Sequence, residues 1–319
     1  MNNTSMAVSS PVHIIEQQGI DISLVNRYLA YLDVEPKTAE TYTRQVRLFA
    51  RYLSENGIRN PDRQTMIDWK DYLVKSGHSA ATIQTYLASV RLFFQWTEQE
   101  GIYPNICKRV RGPKVSHGHH RDYLTAEQIC SVLGAIDRES PAGKRDYAMI
   151  YLTVTAGLRT IEISRATVGD IRKRGSKLVL YVQGKGRDEK VDYVQVIPEV
   201  EKALNEYLST RGNVADTAPL FCSTSHRNEG QGLSTRSISG IIKSRYKAVG
   251  LDSERLTAHS LRHSAITLSV KAGESLQDVQ QFARHLNIST TQIYYHESDM
   301  EKNCCSEKVG SKIAEMLGE

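Results

Sequence analysis

Cysteine is sparse and unpatterned in this chain of 319 residues: Cys107, Cys130, Cys222, Cys304 and Cys305 show no Cys-x-x-Cys or comparable metal spacing. An odd number of thiols and no signal-peptide pattern point to reduced cysteines in a cytoplasmic protein, not to a disulfide framework. No apolar run is long enough to span a bilayer, so no membrane association is expected. No internal repeat or low-complexity segment is evident. Carboxylates do not cluster near the basic groups described below, so neither a divalent metal nor a cofactor is expected.

What is present suits an ordinary globular protein of two domains. Apolar residues make up 40%, and 41 Lys and Arg outweigh 36 Asp and Glu for a net charge of +5. That mild excess is compatible with a nucleic-acid partner without requiring one. Residues 1–20 are polar and pattern-free and read as a disordered tail. Residues 21–108 read as all-helical. Thr38 reads as the cap of a helix with Tyr42, Val46, Phe49 and Leu53 on its apolar side, ended by Asn56-Gly57. Pro61 precedes a helix with Met66, Trp69 and Leu73, and Ser79 caps one with Tyr86, Val90, Phe93 and Phe94. Residues 108–121 hold five Lys or Arg and no acid, so 109–120 reads as a basic linker, able to track a phosphate backbone. From 121 to 319 helices dominate, starting with a capping box at Thr125 and Gln128. Strands near 167–197 interrupt them. The fold class is mainly α: a helical N-terminal domain and an α+β second domain with a small antiparallel sheet.

The second domain carries a set of side chains that suits a phosphodiester: Arg159, Lys185, His259, Arg262, His285 and Tyr294. Guanidiniums, an ammonium and imidazoles supply fixed donors for a pentavalent phosphate, and a phenol supplies a nucleophile. Gly157 reads as a helix stop, with Arg159 opening the next element and Glu162 one turn on. Lys185 lies in Gln183-Gly-Lys-Gly186 between two strand-like runs. His259 and Arg262, three apart, share one face of a helix. Ser289 with Gln292 reads as a capping box that places Tyr294 in the first turns of a short helix. Tyr295 lies about 100° away around that helix and cannot enter the same site. His263 reads as a structural partner, and His117, His119 and His120 as solvated linker residues. The combination means strand cleavage through a phosphotyrosyl link.

These stretches resemble the tyrosine recombinase (phage integrase) family, Xer-like or of the mobile-element type. The matching motifs are Gly157-Leu-Arg159-Thr-Ile-Glu162, the glycine-flanked Lys185, His259-x-Leu-Arg262-His263, and His285 followed by Ser289-Thr-Thr-Gln-Ile-Tyr294-Tyr-His296. The resemblance covers roughly residues 20–319. One departure stands out: the family usually has Leu-Gly before the third-box histidine, and this chain has Ala283-Arg284. Arg284 either strains that turn or adds a phosphate contact.

The resemblance implies a core-binding domain at 21–108 and a catalytic domain at 121–319 that close on duplex DNA, a 3′-phosphotyrosine intermediate, a free 5′-hydroxyl and a Holliday junction. Arg159 and Arg262 would grip the non-bridging oxygens. Lys185 would protonate the leaving oxygen, His259 would assist Tyr294, and His285 would hydrogen-bond the phosphate. Thr38, Arg44, Arg47, Gln84, Thr85 and Arg91 are the candidate DNA contacts of the helical domain, and Lys108, Arg109 and Arg111 those of the linker. The partners implied are duplex DNA with paired inverted half-sites and a homotetramer on it. A C-terminal helix capped by Ser311, with Ile313, Met316 and Leu317, would dock into a neighbouring protomer. An Xer-type resolver of chromosome or plasmid dimers is the alternative role. A non-cutting DNA-binding protein and a type IB topoisomerase are the alternatives of another class.

Overall fold

The computed structural model describes residues 20, 22–114, 122–184, 187, 189–301 and 304–317. The chain divides into two compact units that part between His117 and Gly118.

In the first unit, helices α1 (Ile22–Tyr31), α2 (Pro36–Glu55), α3 (Arg63–Lys75) and α4 (Ala80–Gln99) surround an aromatic core. Phe49, Trp69, Phe93 and Phe94 are fully buried. The Phe49 ring meets Trp69 edge-on at 4.9 Å and Phe94 at 5.9 Å. Each such side chain is worth about 1.5–3 kcal/mol of burial, so these rings fix how α2, α3 and α4 cross. Ser79 caps α4 as expected. Thr38 does not cap α2. The helix starts earlier, because Pro36 suits a first helical position, and the Thr38 amide already donates to the Glu35 carbonyl at 2.8 Å. The start of the basic stretch is fastened to α4: Arg91 donates to the Val110 carbonyl at 2.8 Å and Gln84 to that of Pro113 at 2.8 Å. The rest of the linker and the tail at 1–19 lie outside the described residues, as do His117, His119 and His120.

The second unit is built around α6 (Pro141–Ala156), which is buried on most sides: Ala148, Met149, Ile150 and Leu152 are in the core, and Arg145 and Asp146 are buried as an ion pair. Around it lie α5 (Ala126–Gly134), α8 (Pro198–Ser209), α9 (Thr235–Ala248) and α10 (Ala258–Lys271). Strands β1 (Ile171–Arg174), β2 (Lys177–Val182) and β3 (Asp192–Val196) form an antiparallel sheet in that order. Leu180 and Val182 face the core beside Val194 and Val196, and Leu180 pairs with Val194 in register. Gly157 ends α6 in the left-handed conformation (φ 56°), and α7 (Thr160–Arg165) follows at once. The chain closes with α11 (Leu276–Ala283), α12 (Ile288–Glu301) and α13 (Cys305–Leu317).

Two expected helix starts move. Asn287, not Ser289, caps α12: its Oδ1 accepts the Ser289 amide at 3.0 Å. Ser311 lies inside α13, which begins at Cys305. In both places a serine that is able to cap is overruled by helix that extends before it.

Candidate active site

Arg159 holds the turn between α6 and α7. Its amide donates to Glu162 Oε2 at 2.8 Å and its Nη1 to Glu162 Oε1 at 2.8 Å. Glu162 is 1% exposed. Burial pushes its carboxyl up, but Arg284 and Arg159 outweigh burial and hold it below the usual carboxylate range. Removing one partner of such a buried pair costs about 3–5 kcal/mol, because the other charge is stranded. The pair therefore fixes where Arg159 sits.

Arg262 comes from the first turns of α10 and is 2% exposed. Its Nη1 donates to the Gly157 carbonyl at 2.5 Å, and its Nη2 donates to the Ala283 carbonyl. Burial, then the Arg159 and Arg284 charges, push its guanidinium down to about 9, still cationic at neutral pH. A guanidinium has five N–H donors, so Arg159 and Arg262 retain donors after these contacts.

His285 follows α11 directly. Its Nδ1 lies 2.9 Å from the Thr291 hydroxyl, which fixes the ring. Burial, then Arg262, Arg159, Arg284 and His259, push the imidazole down to about 4. It is neutral at pH 7. Tyr294, in the second turn of α12, is 6% exposed. Its ring meets His263 edge-on at 4.9 Å and stacks on His285 at 6.3 Å. Tyr295 faces elsewhere and donates to the Glu274 carbonyl at 2.6 Å. His263 is buried between Tyr294 and Tyr123, a packing role. His259 is exposed at the start of α10, near enough for its charge to bear on His285.

Thus Arg159, His259, Arg262, His285 and Tyr294 gather at one place. Lys185 lies outside the described residues; the strands that flank it, β2 and β3, run antiparallel as expected. Sequence reasoning missed Thr291 and the part played by Arg284. Arg284 takes the left-handed conformation (φ 52°) at the end of α11, and its Nη2 lies 2.8 Å from Glu162 Oε2. Both expected possibilities are thereby separated: the turn carries the cost of a left-handed non-glycine residue, roughly 1–2 kcal/mol, and the guanidinium binds Glu162. Arg159 and Arg284 share the buried Glu162 carboxylate, and Arg262 lies near enough for its charge to be felt. Among the described residues no group of three or more His, Cys, Asp or Glu is arranged to hold a metal ion. Among them, too, no helix is long and apolar enough to cross a membrane.

The candidate DNA contacts are less uniform. Arg44 and Arg47 are exposed on α2, and with Arg51, Leu29 and Tyr86 they line a groove of about 620 Å³. Arg51 was legible as the residue one turn after Arg47. Thr38 is half-buried within α2, and Thr85 is exposed and back-bonded to the Ala81 carbonyl. Arg91 and Gln84 are engaged with the carbonyls of Val110 and Pro113. Lys108 pairs with Glu98 at 2.7 Å, while Arg109 takes a positive φ of 59° and Arg111 is exposed.

The chain is similar to proteins of a known family. Residues 122–301 match the model of the phage integrase family, and residues 25–101 match its N-terminal SAM-like domain. The tyrosine recombinase XerD of Listeria monocytogenes serotype 4b is 27% identical, over 86% of this chain and 93% of its own. XerD of Xanthomonas axonopodis pv. citri is 30% identical, over 87% of this chain and 93% of its own. The crystal structure of the XerH site-specific recombinase bound to palindromic difH substrate, a post-cleavage complex, shares the fold: TM-score 0.69 at 24% identity, over 85% of this chain and 80% of that one.

Proposed function

The chain belongs to the phage integrase family, and from that premise we propose that it is a site-specific tyrosine recombinase whose nucleophile is Tyr294. The observation that carries this reading is the charge imbalance at the site. Arg159 and Arg284 pair with the one carboxylate of Glu162, and Arg262, held by backbone carbonyls, adds a third guanidinium beside a buried phenol. Such a site calls for an anion with several oxygens, and a scissile phosphate has them.

The steps follow from the side chains. Arg159 and Arg262 bind the non-bridging oxygens and stabilise charge that grows on the pentavalent phosphate. The cations beside Tyr294 stabilise the negative charge that its oxygen carries as the proton leaves. Its oxygen attacks phosphorus and the bond to the 5′-oxygen breaks. Lys185 supplies the proton to that leaving oxygen, and His259 assists removal of the proton from Tyr294. His285, neutral and fixed through Nδ1 by Thr291, offers Nε2 to the phosphate. The product is a 3′-phosphotyrosine and a free 5′-hydroxyl. Because one phosphoester is exchanged for another, a 5′-hydroxyl from another strand can attack the phosphotyrosine, release Tyr294 and rejoin the DNA without ATP.

The first unit supplies the second hand on the duplex, with the Arg44, Arg47 and Arg51 groove toward phosphates. Four protomers pair two sites of inverted half-sites and exchange strands through a Holliday junction. The C-terminal α13 reaches a neighbour: its Val309, Ile313 and Met316 are exposed at 59%, 53% and 80%. Its receptor is the apolar cleft of about 580 Å³ lined by Ile129, Leu133, Tyr147, Tyr151, Val154 and Leu268. Integration, excision and dimer resolution use this same chemistry, and the DNA beside the gene separates them.

The test is to incubate the protein with duplexes drawn from that flanking DNA and denature the products. The expected outcome is protein covalently attached to a 3′ end, with a free 5′-hydroxyl opposite. Attachment to a 5′ end, or cutting with no attached protein, contradicts the proposal.

A further inference from the structure

Arg284 occupies a backbone conformation that favours glycine. It ends α11 at φ 52° and ψ 46°, where a Cβ crowds the following carbonyl. Arg109 also takes a positive φ, but its side chain is exposed. The Arg284 side chain is only 10% exposed. Its Nη1 donates to the Phe282 carbonyl at 2.9 Å and to the Ala156 carbonyl at 3.3 Å. Its Nη2 reaches the Gly157 carbonyl at 3.1 Å and Glu162 Oε2 at 2.8 Å. Its own carbonyl accepts Arg159 Nη2 at 3.1 Å. The other Glu162 oxygen holds Arg159 Nη1 at 2.8 Å.

A helix cap requires none of this. Glycine would take the same turn without strain and would leave Glu162 buried against Arg159 alone. Instead, the main chain and the side chain of Arg284 converge on one guanidinium, the first directly and the second through Glu162. The Gly157 carbonyl also accepts from Arg262 at 2.5 Å, so the same residue ties both phosphate-binding arginines to the segment that leads to His285.

We propose that Arg284 is a positioning residue for strand cleavage: by gripping Glu162 and, through its own carbonyl, Arg159, it aims the Arg159 guanidinium at the scissile phosphate. This rests on the reading that Arg159 binds that phosphate and Tyr294 attacks it. A consequence follows for pH. Glu162 faces Arg159 on its own turn, Arg284 from the end of α11, and Arg262 from α10. Burial favours its neutral form, and without Arg284 it takes a proton at higher pH. A neutral carboxyl holds Arg159 less firmly.

The experiment measures single-turnover adduct formation against pH on a nicked duplex bearing the recombination site, with half-site binding measured alongside. The unaltered protein and Tyr294→Phe come first: an adduct that Tyr294→Phe abolishes secures the underlying reading by itself. Arg284→Gln removes the charge, and Arg284→Gly removes both charge and strain, so the glycine variant folds even if the other does not. Each is expected to bind a half-site as before, to form adduct roughly tenfold more slowly, and to lose activity at a higher pH as acid is added. Arg284→Lys should restore the rate to within about threefold, since it returns a cation to Glu162. The upward move of the acid limb should vanish when Glu162→Gln is added to Arg284→Gln. Adduct rates and acid limbs unchanged in the glutamine or glycine variant would overturn the proposal. So would an acid shift that survives Glu162→Gln, because it would then belong to His285.

Discussion

His285 carries a pH signature of its own. Burial first, and then the arginine charges around it, push its imidazole from 6.5 down to about 4. In the unfolded chain the ring takes a proton near 6.5, whereas in the folded chain it stays neutral until near 4. The unfolded state therefore binds the extra proton in between, and stability falls as pH drops through that window. His285→Asn removes the titration. Thermal melting between pH 6.5 and 5 should fall less steeply with acid in that variant than in the unaltered protein. Equal slopes would mean that the ring is not held neutral. At this scale much of the site was legible. Arg159, Arg262, His285 and Tyr294 stand in motifs whose spacings set them on facing helix turns. Arg284 was not legible, because its partner Glu162 is 122 positions away and spacing does not report a positive φ. Arg91 and Gln84 look like free surface groups in sequence, and only the path of residues 110–113 shows that they are engaged.

Among the elements, the turn at Gly157 does the most to build the site. Its left-handed φ lets α6 stop and α7 start within a few residues, and its carbonyl meets both Arg262 and Arg284. The stop was readable from the glycine, as were the caps at Ser79 and Thr125, since those signals are local. The starts of α2, α12 and α13 were misplaced for the same reason: Thr38, Ser289 and Ser311 can each cap, but a preceding proline, an asparagine or a longer run of helix decides. The helix α13 is too short to hold its form alone in water, and its apolar side is exposed. Deleting residues 305–319 should leave affinity for a single half-site unchanged, weaken cooperative filling of paired half-sites roughly tenfold or more, and reduce recombination. Gel-shift titration on one and two half-sites reads this. A deletion that melts the monomer early and spoils single half-site binding would place α13 on its own unit.

For the molecule as a whole, the division into two units was legible in the length and in the basic, acid-free stretch at 108–121, where the units part, and the small sheet in the strand-like runs near 167–197. The aromatic core of the first unit and the largely buried α6 of the second are the centres around which the two units pack. Neither shows chemistry by itself; the proposed site lies where α7, α10, α11 and α12 bring Arg159, Arg262, Arg284 and Tyr294 together around Glu162. The guanidinium charge there is proposed to serve attack by Tyr294 and by no other tyrosine. Proteolysis of the covalent protein–DNA adduct, followed by mass mapping of the attached peptide, tests it directly. The nucleotide is expected on Tyr294; Tyr294→Phe should bind DNA and yield no adduct, and Tyr295→Phe should still yield one. A nucleotide found on Tyr295, or an adduct that persists in Tyr294→Phe, would contradict it.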